Sequence, residues 1–506
     1  MALKILVESG YIEGVTENGA RVWKGIPYAS DYTGEHRYRT AKPCEKWDGV
    51  LKTNTFPPPA PQLPKKVCGI EEGVPTDENS LCINVWAPEK TVKKSPVMVW
   101  IYGGAFVSGD AGLDLYDGAR LGVEENIIVV SFNYRINALG FLDFSSVIPE
   151  AESNVGLRDQ VLALKWINEN IEAFGGDREN ITIFGQSAGG HSVTTLLSIP
   201  SARKYIAKAI AMSSYPLSVN TKEQAAAYAA RFLELMGIEA KDARRLFSVP
   251  VNNLVEAAKK LEDEVSAKCN FEFAFAPVVD GDFLPLTPFQ SASSPQDKVI
   301  PLIVGNVTDE GSMYAFSPIP FFPTTDETIE KFFGQNNDWD KNVVETLYGG
   351  YPAKRRKDKL GGDILFGVPC LLYADAYSKN APVWMHSFAY HPIALSIKKL
   401  YTMHGTDMPF AFNNLKCTIA KQSLSLTLNK STAECIKREF SRELSSFAVT
   451  GKAGWEPYSE SGRILREFNK KSTTIFHPLA QAAEVFKKTA FFKRKTALLS
   501  ATNASR

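Results

Sequence analysis

What the 506-residue chain lacks narrows it before any motif is read. No apolar run reaches the length that crosses a bilayer, so no membrane-spanning helix is expected. The first residues, Met1-Ala2-Leu3-Lys4-Ile5-Leu6-Val7-Glu8, are too short and too soon charged for a secretory leader. They read as an opening strand before the Asn18-Gly19 turn. No Ser/Gly tract, acidic block or repeat period marks a linker or an array. Residues 1–506 are therefore expected to form a single domain, although length alone would suggest about three. The seven cysteines, at 44, 68, 82, 269, 370, 417 and 435, show no C-x-x-C spacing. That pattern predicts free thiols in a reducing compartment, hence a cytoplasmic protein. The net charge of +1 gives no bulk attraction to nucleic acid or to an anionic membrane. Neither is expected as a partner, and the oligomeric state is open between monomer and small homo-oligomer. The one basic cluster, Lys354-Arg355-Arg356-Lys357-Asp358-Lys359, reads as a solvated surface. Histidine is scarce too: there are six, at 36, 191, 386, 391, 404 and 477.

Against these absences stands Ile181-Thr182-Ile183-Phe184-Gly185-Gln186-Ser187-Ala188-Gly189-Gly190. A β-branched run reads as a buried strand, then comes Gly-x-Ser-x-Gly, then a helix-like segment through Ser198. Strand, serine, helix is the context that gives this pentapeptide chemical meaning. A serine at the tip of a very sharp turn projects its hydroxyl into a cleft. The residues two before and two after it crowd together, so Gly185 and Gly189 carry no side chain. The following helix points free N–H groups at any oxyanion formed there.

The rest of the chain alternates strands and helices. Residues 97–101 and 126–132 are continuous apolar runs, as in central parallel strands. Residues 154–174 repeat apolar positions at helical spacing and stop at Gly175-Gly176. Further strands are expected over 206–213, 299–306 and 383–390, and helices over 222–236, 431–449 and 479–493, with 325–380 mostly helical. This order predicts an α/β fold: a central, mostly parallel twisted sheet flanked by helices, with large loop and helical insertions.

A serine needs a base, and the base needs an orienting carboxylate. With the chain order Ser, acid, His, His36 is excluded. His191 lies four residues along the helix from Ser187, His386 falls inside a strand, and His391 precedes a proline. His404 lies in a loop of small neighbours after a strand, where a base can reach the serine. For the acid, Glu310 precedes Gly311, and spacing alone leaves Asp309 as its competitor. Gly103-Gly104-Ala105 ends a strand in the manner of an HGGG-type loop, with Tyr102 in place of the histidine. Its side-chain-poor backbone supplies Gly104 and Ala105 as oxyanion donors beside Ala188, the residue after the serine.

These motifs resemble the type-B carboxylesterases, the cholinesterase/carboxylesterase branch of the α/β-hydrolase fold, and among them bacterial carboxylesterases of the para-nitrobenzyl esterase kind. The resemblance covers nearly the whole chain. It runs from Tyr11-Ile12-Glu13-Gly14 and Trp23-Lys24-Gly25-Ile26-Pro27-Tyr28-Ala29, through Pro96 to Phe106, Asn133-Tyr134-Arg135 and Asn154 to Gln160, to Trp455-Glu456-Pro457-Tyr458. It implies Ser187 as nucleophile, Glu310 rather than Asp309 as acid, and His404 as base, with an ester substrate and no metal or cofactor. Ser213 falls where the family has a serine near the base. Two departures stand out. Gln186 replaces a more usual glutamate, and Ala60 and Ser80 stand where secreted members place a disulfide. The loop between them holds no Trp, Tyr or Phe. Without an aromatic face for a quaternary ammonium, choline esters are disfavoured.

Overall fold

A computed structural model describes residues 3–65, 69–90, 94–268, 270–315, 323–336, 346–424 and 430–497. Its strongest apolar runs meet in one eleven-stranded sheet. The strands in chain order are β1 (Val15–Glu17), β2 (Ala20–Pro27), β3 (Cys82–Pro88), β4 (Ser95–Ile101), β5 (Ile128–Phe132) and β6 (Gly176–Gln186). Then follow β7 (Lys208–Met212), β8 (Leu302–Val307), β9 (Val383–Phe388), β10 (Ile464–Phe468) and β11 (Thr473–Phe476). Across the sheet they lie β11-β10-β9-β8-β7-β6-β4-β5-β3-β2-β1. From β5 to β10 every neighbouring pair is parallel, while β1, β2, β3 and β11 close the two edges antiparallel. The expected α/β-hydrolase architecture is the one observed.

Central strands are apolar on both faces because helices cover both. Val97, Val99, Ile101, Ile128, Val130, Ile181 and Ile183 are fully buried. The helix α1 (Val155–Asn170) bears the periodic run read from sequence. A 3₁₀ turn, Ile171–Phe174, extends it to Gly175 at φ 97°, and Arg21 Nη2 donates to the Phe174 carbonyl at 3.0 Å. The helix α2 (Ala188–Leu196) follows β6 directly. Between β7 and β8 lie α3 (Lys222–Leu235), started by a Thr221/Gln224 capping box, and α4 (Val251–Ser266). Between β8 and β9 run α5 (Ala353–Gly362), a π turn at Asp363–Gly367 and α6 (Val368–Tyr377). The helix α7 (Lys430–Thr450) spans the expected 431–449.

One expected helix is two. The stretch 479–493 is broken into Ala480–Phe486 and Ala490–Ala497. At the break, Thr489 Oγ1 donates to the Phe486 carbonyl and accepts from the Phe492 amide. A hydroxyl that bonds nearby backbone competes with the helix ladder. Among the described residues no helix is long and apolar enough to cross a membrane. Cys44, Cys82, Cys370, Cys417 and Cys435 are free thiols, while Cys68 and Cys269 lie outside the described residues.

Candidate active site

Ser187 joins the end of β6 to the start of α2 with φ 59° and ψ −126°, a conformation that costs a non-glycine residue about 1–3 kcal/mol. Surrounding bonds hold it there. Its amide donates to the Met212 carbonyl at 3.0 Å, and its own carbonyl accepts from the His191 amide at 2.8 Å. The glycine spacing has the steric cause read from sequence. A Cβ on Gly185 would lie 2.4 Å from the Gly189 carbonyl, and one on Gly189 would lie 1.9 Å from the Ile101 oxygen.

The end of β4 packs against this turn. A Cβ on Gly103 would stand 2.4 Å from the Gln186 oxygen and 2.9 Å from Ser187 Cβ. Beyond it the chain turns through positive φ at Gly104, Ala105 and Phe106, closed by the Val107 and Ser108 amides on the Gly104 carbonyl. Among the described residues, the amides of Gly104, Ala105 and Ala188 donate in none of the backbone hydrogen bonds of the loop or the turn. All three candidate donors thus belong to segments packed around Ser187. Tyr102 is stacked on Tyr134 with centroids 4.4 Å apart, and Tyr134 Oη donates to the Tyr102 carbonyl.

His404 is buried, and its Nδ1 lies 2.5 Å from Glu310 Oε2. Glu310 Oε1 accepts from Ser213 Oγ at 2.6 Å and from the Val307 amide at 3.0 Å. Three donors on one carboxylate fix its orientation. Ser213, expected near the base, bonds the same Glu310 carboxylate that meets His404. Asp309 points elsewhere: its carboxylate accepts from Arg355 at 2.8 and 3.3 Å and from Thr308 Oγ1. The second ring nitrogen of His404, Nε2, lies 3.0 Å from the Gln186 side-chain amide. With Nδ1–H directed at Glu310, Nε2 is the acceptor and the Gln186 NH₂ group donates. Among the described residues, Gln186 rather than Ser187 pairs with this nitrogen.

Phe366 covers the ring of His404 with centroids 4.4 Å apart and planes 25° apart, and Tyr314 lies at 6.3 Å. Close by, Asp407 is wholly buried, and among the described residues neither carboxylate oxygen has a hydrogen-bond partner. Burial, then the charge of Glu310, pushes its carboxyl up to about 7. Three of the other histidines sit in different surroundings. Nε2 of His191 meets the Ser218 carbonyl, and burial lowers its imidazole to about 4. His386 is enclosed by Phe440 and Phe468 and lowered to about 3 by the same cause. Nδ1 of His391 pairs with Thr402 Oγ1.

Sequence reading missed the roles of Gln186, Phe366 and Arg355. Phe366 carries no motif, and Arg355 lies in the basic cluster read as solvated. Two cations of that cluster turn inward: Arg355 to Asp309, and Lys359, whose Nζ donates to the Thr308 carbonyl.

Known proteins share this arrangement of chain. Residues 2–491 match the model of the carboxylesterase family. The chain is 36% identical over 470 residues to the para-nitrobenzyl esterase of Bacillus subtilis, covering 92% of this chain and 91% of that one. It is 30% identical to an acetylcholinesterase of Bungarus fasciatus, over 91% and 80% of the two chains. A solved para-nitrobenzyl esterase structure superposes with a TM-score of 0.81 at 34% identity, over 96% of this chain and all of that one.

Proposed function

The chain belongs to the carboxylesterase family, and from that premise we propose that Ser187, His404 and Glu310 carry its serine-esterase chemistry. The protein is a carboxylic ester hydrolase of the α/β-hydrolase fold. The observation that supports the residue assignment is the short His404–Glu310 pair, whose other ring nitrogen meets Gln186, the residue before Ser187 at the end of β6.

Ser187 Oγ attacks the ester carbonyl carbon as His404 Nε2 takes its proton. Gln186 must release Nε2 for this step. The carbonyl oxygen gains negative charge, and the amides of Gly104, Ala105 and Ala188 donate to it. Loss of one such donor typically costs about 2.7–4 kcal/mol of transition-state stabilisation. The imidazolium, held by Glu310, returns its proton to the departing alcohol oxygen as the C–O bond breaks. Water, activated by His404, then hydrolyses the acyl-serine.

The substrate is a small-molecule ester whose alcohol is not choline. The segment from Ala60 to Ser80 holds no aromatic residue to face a quaternary ammonium. Acetylcholine should show no advantage in kcat/KM over its neutral isostere 3,3-dimethylbutyl acetate; a preference above ~10-fold would contradict this. The protein acts in the cytoplasm, without a nucleic-acid or membrane partner, as a monomer or small homo-oligomer; scattered free thiols and near-zero net charge support this. The direct test is hydrolysis of p-nitrophenyl acetate, butyrate and octanoate by the wild type and by Ser187→Ala. Turnover that vanishes in the variant is the expected result, and the chain-length trend sizes the acyl pocket. A variant that keeps wild-type turnover overturns the assignment.

A further inference from the structure

The run Lys354 to Lys359 opens a helical segment, and one face of that segment touches both the acid and the base. Positions 355, 359, 362 and 366 recur at four, three and four residues, the spacing of a single helical face. Each makes a separate contact. Arg355 forks onto the buried Asp309 carboxylate, with its guanidinium 4.1 Å from the Tyr401 ring. Lys359 donates to the Thr308 carbonyl at 2.5 Å. At Gly362 the backbones press together: a Cβ there would fall 2.4 Å from the Gly311 nitrogen and 2.8 Å from Glu310 Cβ. From the other side, a Cβ on Gly311 would fall 1.9 Å from the Asp358 carbonyl. One turn further, Phe366 lies flat on His404.

The base segment is tied to the same loop. The Asp309 amide donates to the Thr402 carbonyl at 3.1 Å, and Ser312 Oγ donates to the Leu400 carbonyl. The π turn at Asp363–Gly367 has a local cause in Pro369, in the first turn of α6. Proline offers no N–H to the Leu365 carbonyl and crowds it, and a widened turn relieves both. Phe366 lies within that widened turn.

We propose that this face is the positioning element of the acid–base pair, with Phe366 fixing the plane of the His404 ring and Arg355 anchoring the face to the acid loop. The inference rests on the reading of Glu310 and His404 as acid and base. Neither Phe366 nor Arg355 touches reacting atoms; both act through their neighbours. A flat ring against the imidazole leaves Nδ1 aimed at Glu310 while Nε2 swings between the serine oxygen and the leaving oxygen. A misplacement of about 1 Å at such a site costs about 100-fold in rate.

Leaving groups separate positioning from simple structural damage. An ethyl ester needs the His404 imidazolium to protonate the departing ethoxide, whereas p-nitrophenolate leaves without that proton. The experiment measures kcat/KM per active site for ethyl butyrate and p-nitrophenyl butyrate, with sites counted by reaction with diethyl p-nitrophenyl phosphate. Phe366→Leu keeps apolar bulk but removes the flat ring; Phe366→Tyr keeps the ring. The leucine variant should lose about 10–100-fold on the ethyl ester and clearly less on the p-nitrophenyl ester, while tyrosine restores both. Arg355→Met should shift the two rates in the same unequal way, with Arg355→Lys intermediate. Equal losses on both esters, or no loss in Phe366→Leu, overturn the proposal. His404→Ala distinguishes the two levels of the reading. If it keeps activity, the base assignment itself fails; if it is inactive while Phe366→Leu behaves as wild type, only the positioning role fails.

Discussion

At the residue scale, the proposed chemistry turns on which partner each ring nitrogen of His404 keeps. Gln186 donates to Nε2, which accepts with its ring lone pair. A carboxylate there would instead favour the imidazolium. Gln186→Glu is therefore expected to move the acid limb of kcat/KM toward higher pH, so that activity below neutrality falls most. Rate profiles from pH 4.5 to 8.5 on p-nitrophenyl butyrate measure this, and superimposable profiles would refute the contact's importance. Ser213 holds the other end of the pair. Ser213→Ala removes one of three donors to Glu310, with an expected loss of about 1–2 kcal/mol in transition-state stabilisation at nearly unchanged KM. The proposed serine and base were read from motif and chain order, whereas the choice of Glu310 over Asp309 came from the family resemblance alone. Gln186 was legible only as a missing charge, since its contact joins residues 218 positions apart. Phe366 was not legible at all: nothing local distinguishes an aromatic over an imidazole from any other core residue.

Among elements, the strand–turn–helix unit of β6, Ser187 and α2 has no room to adjust. Gly189→Ala places a methyl 1.9 Å from the Ile101 oxygen. It should cost about 3 kcal/mol or more and abolish turnover together, read by thermal unfolding and ester hydrolysis. An active, stable alanine variant would contradict the geometry. Strands were readable wherever apolar runs are continuous, which is why β4, β5 and β9 lie close to their expected ranges. The basic run of α5 was misread because charge stands for solvent in a sequence. In the structure, buried Asp309 and the Thr308 carbonyl recruit two of its cations inward. The break at Thr489 was missed because its cause is one hydroxyl choosing backbone partners.

Over the whole molecule, sheet order was implied by the resemblance and by nothing in composition, because pairing β4 beside β6 and β5 depends on contacts far apart in sequence. We propose that the full chain is one domain, since one continuous sheet runs from β1 near the start to β11 near the end. Thermal unfolding should then be a single transition with matching calorimetric and van't Hoff enthalpies. Stability also carries a pH signature. Asp407 is raised to about 7 by burial and by Glu310, from an ordinary 3.8. Its neutral form contributes stability that is fully present below about pH 4 and lost as pH rises to 7. Asp407→Asn removes that loss, so the Tm difference between variant and wild type should widen from pH 4.5 to 7 and stay level above. A constant difference would show that Asp407 ionises normally.

The central claim is that one serine forms the covalent intermediate. It is tested most directly by reacting the protein with diethyl p-nitrophenyl phosphate and mapping the product by mass spectrometry. The expected result is release of one p-nitrophenolate per chain, a single phosphoryl adduct on Ser187, and loss of all esterase activity in step with labelling. Label on another residue, or activity that survives complete labelling of Ser187, would contradict it.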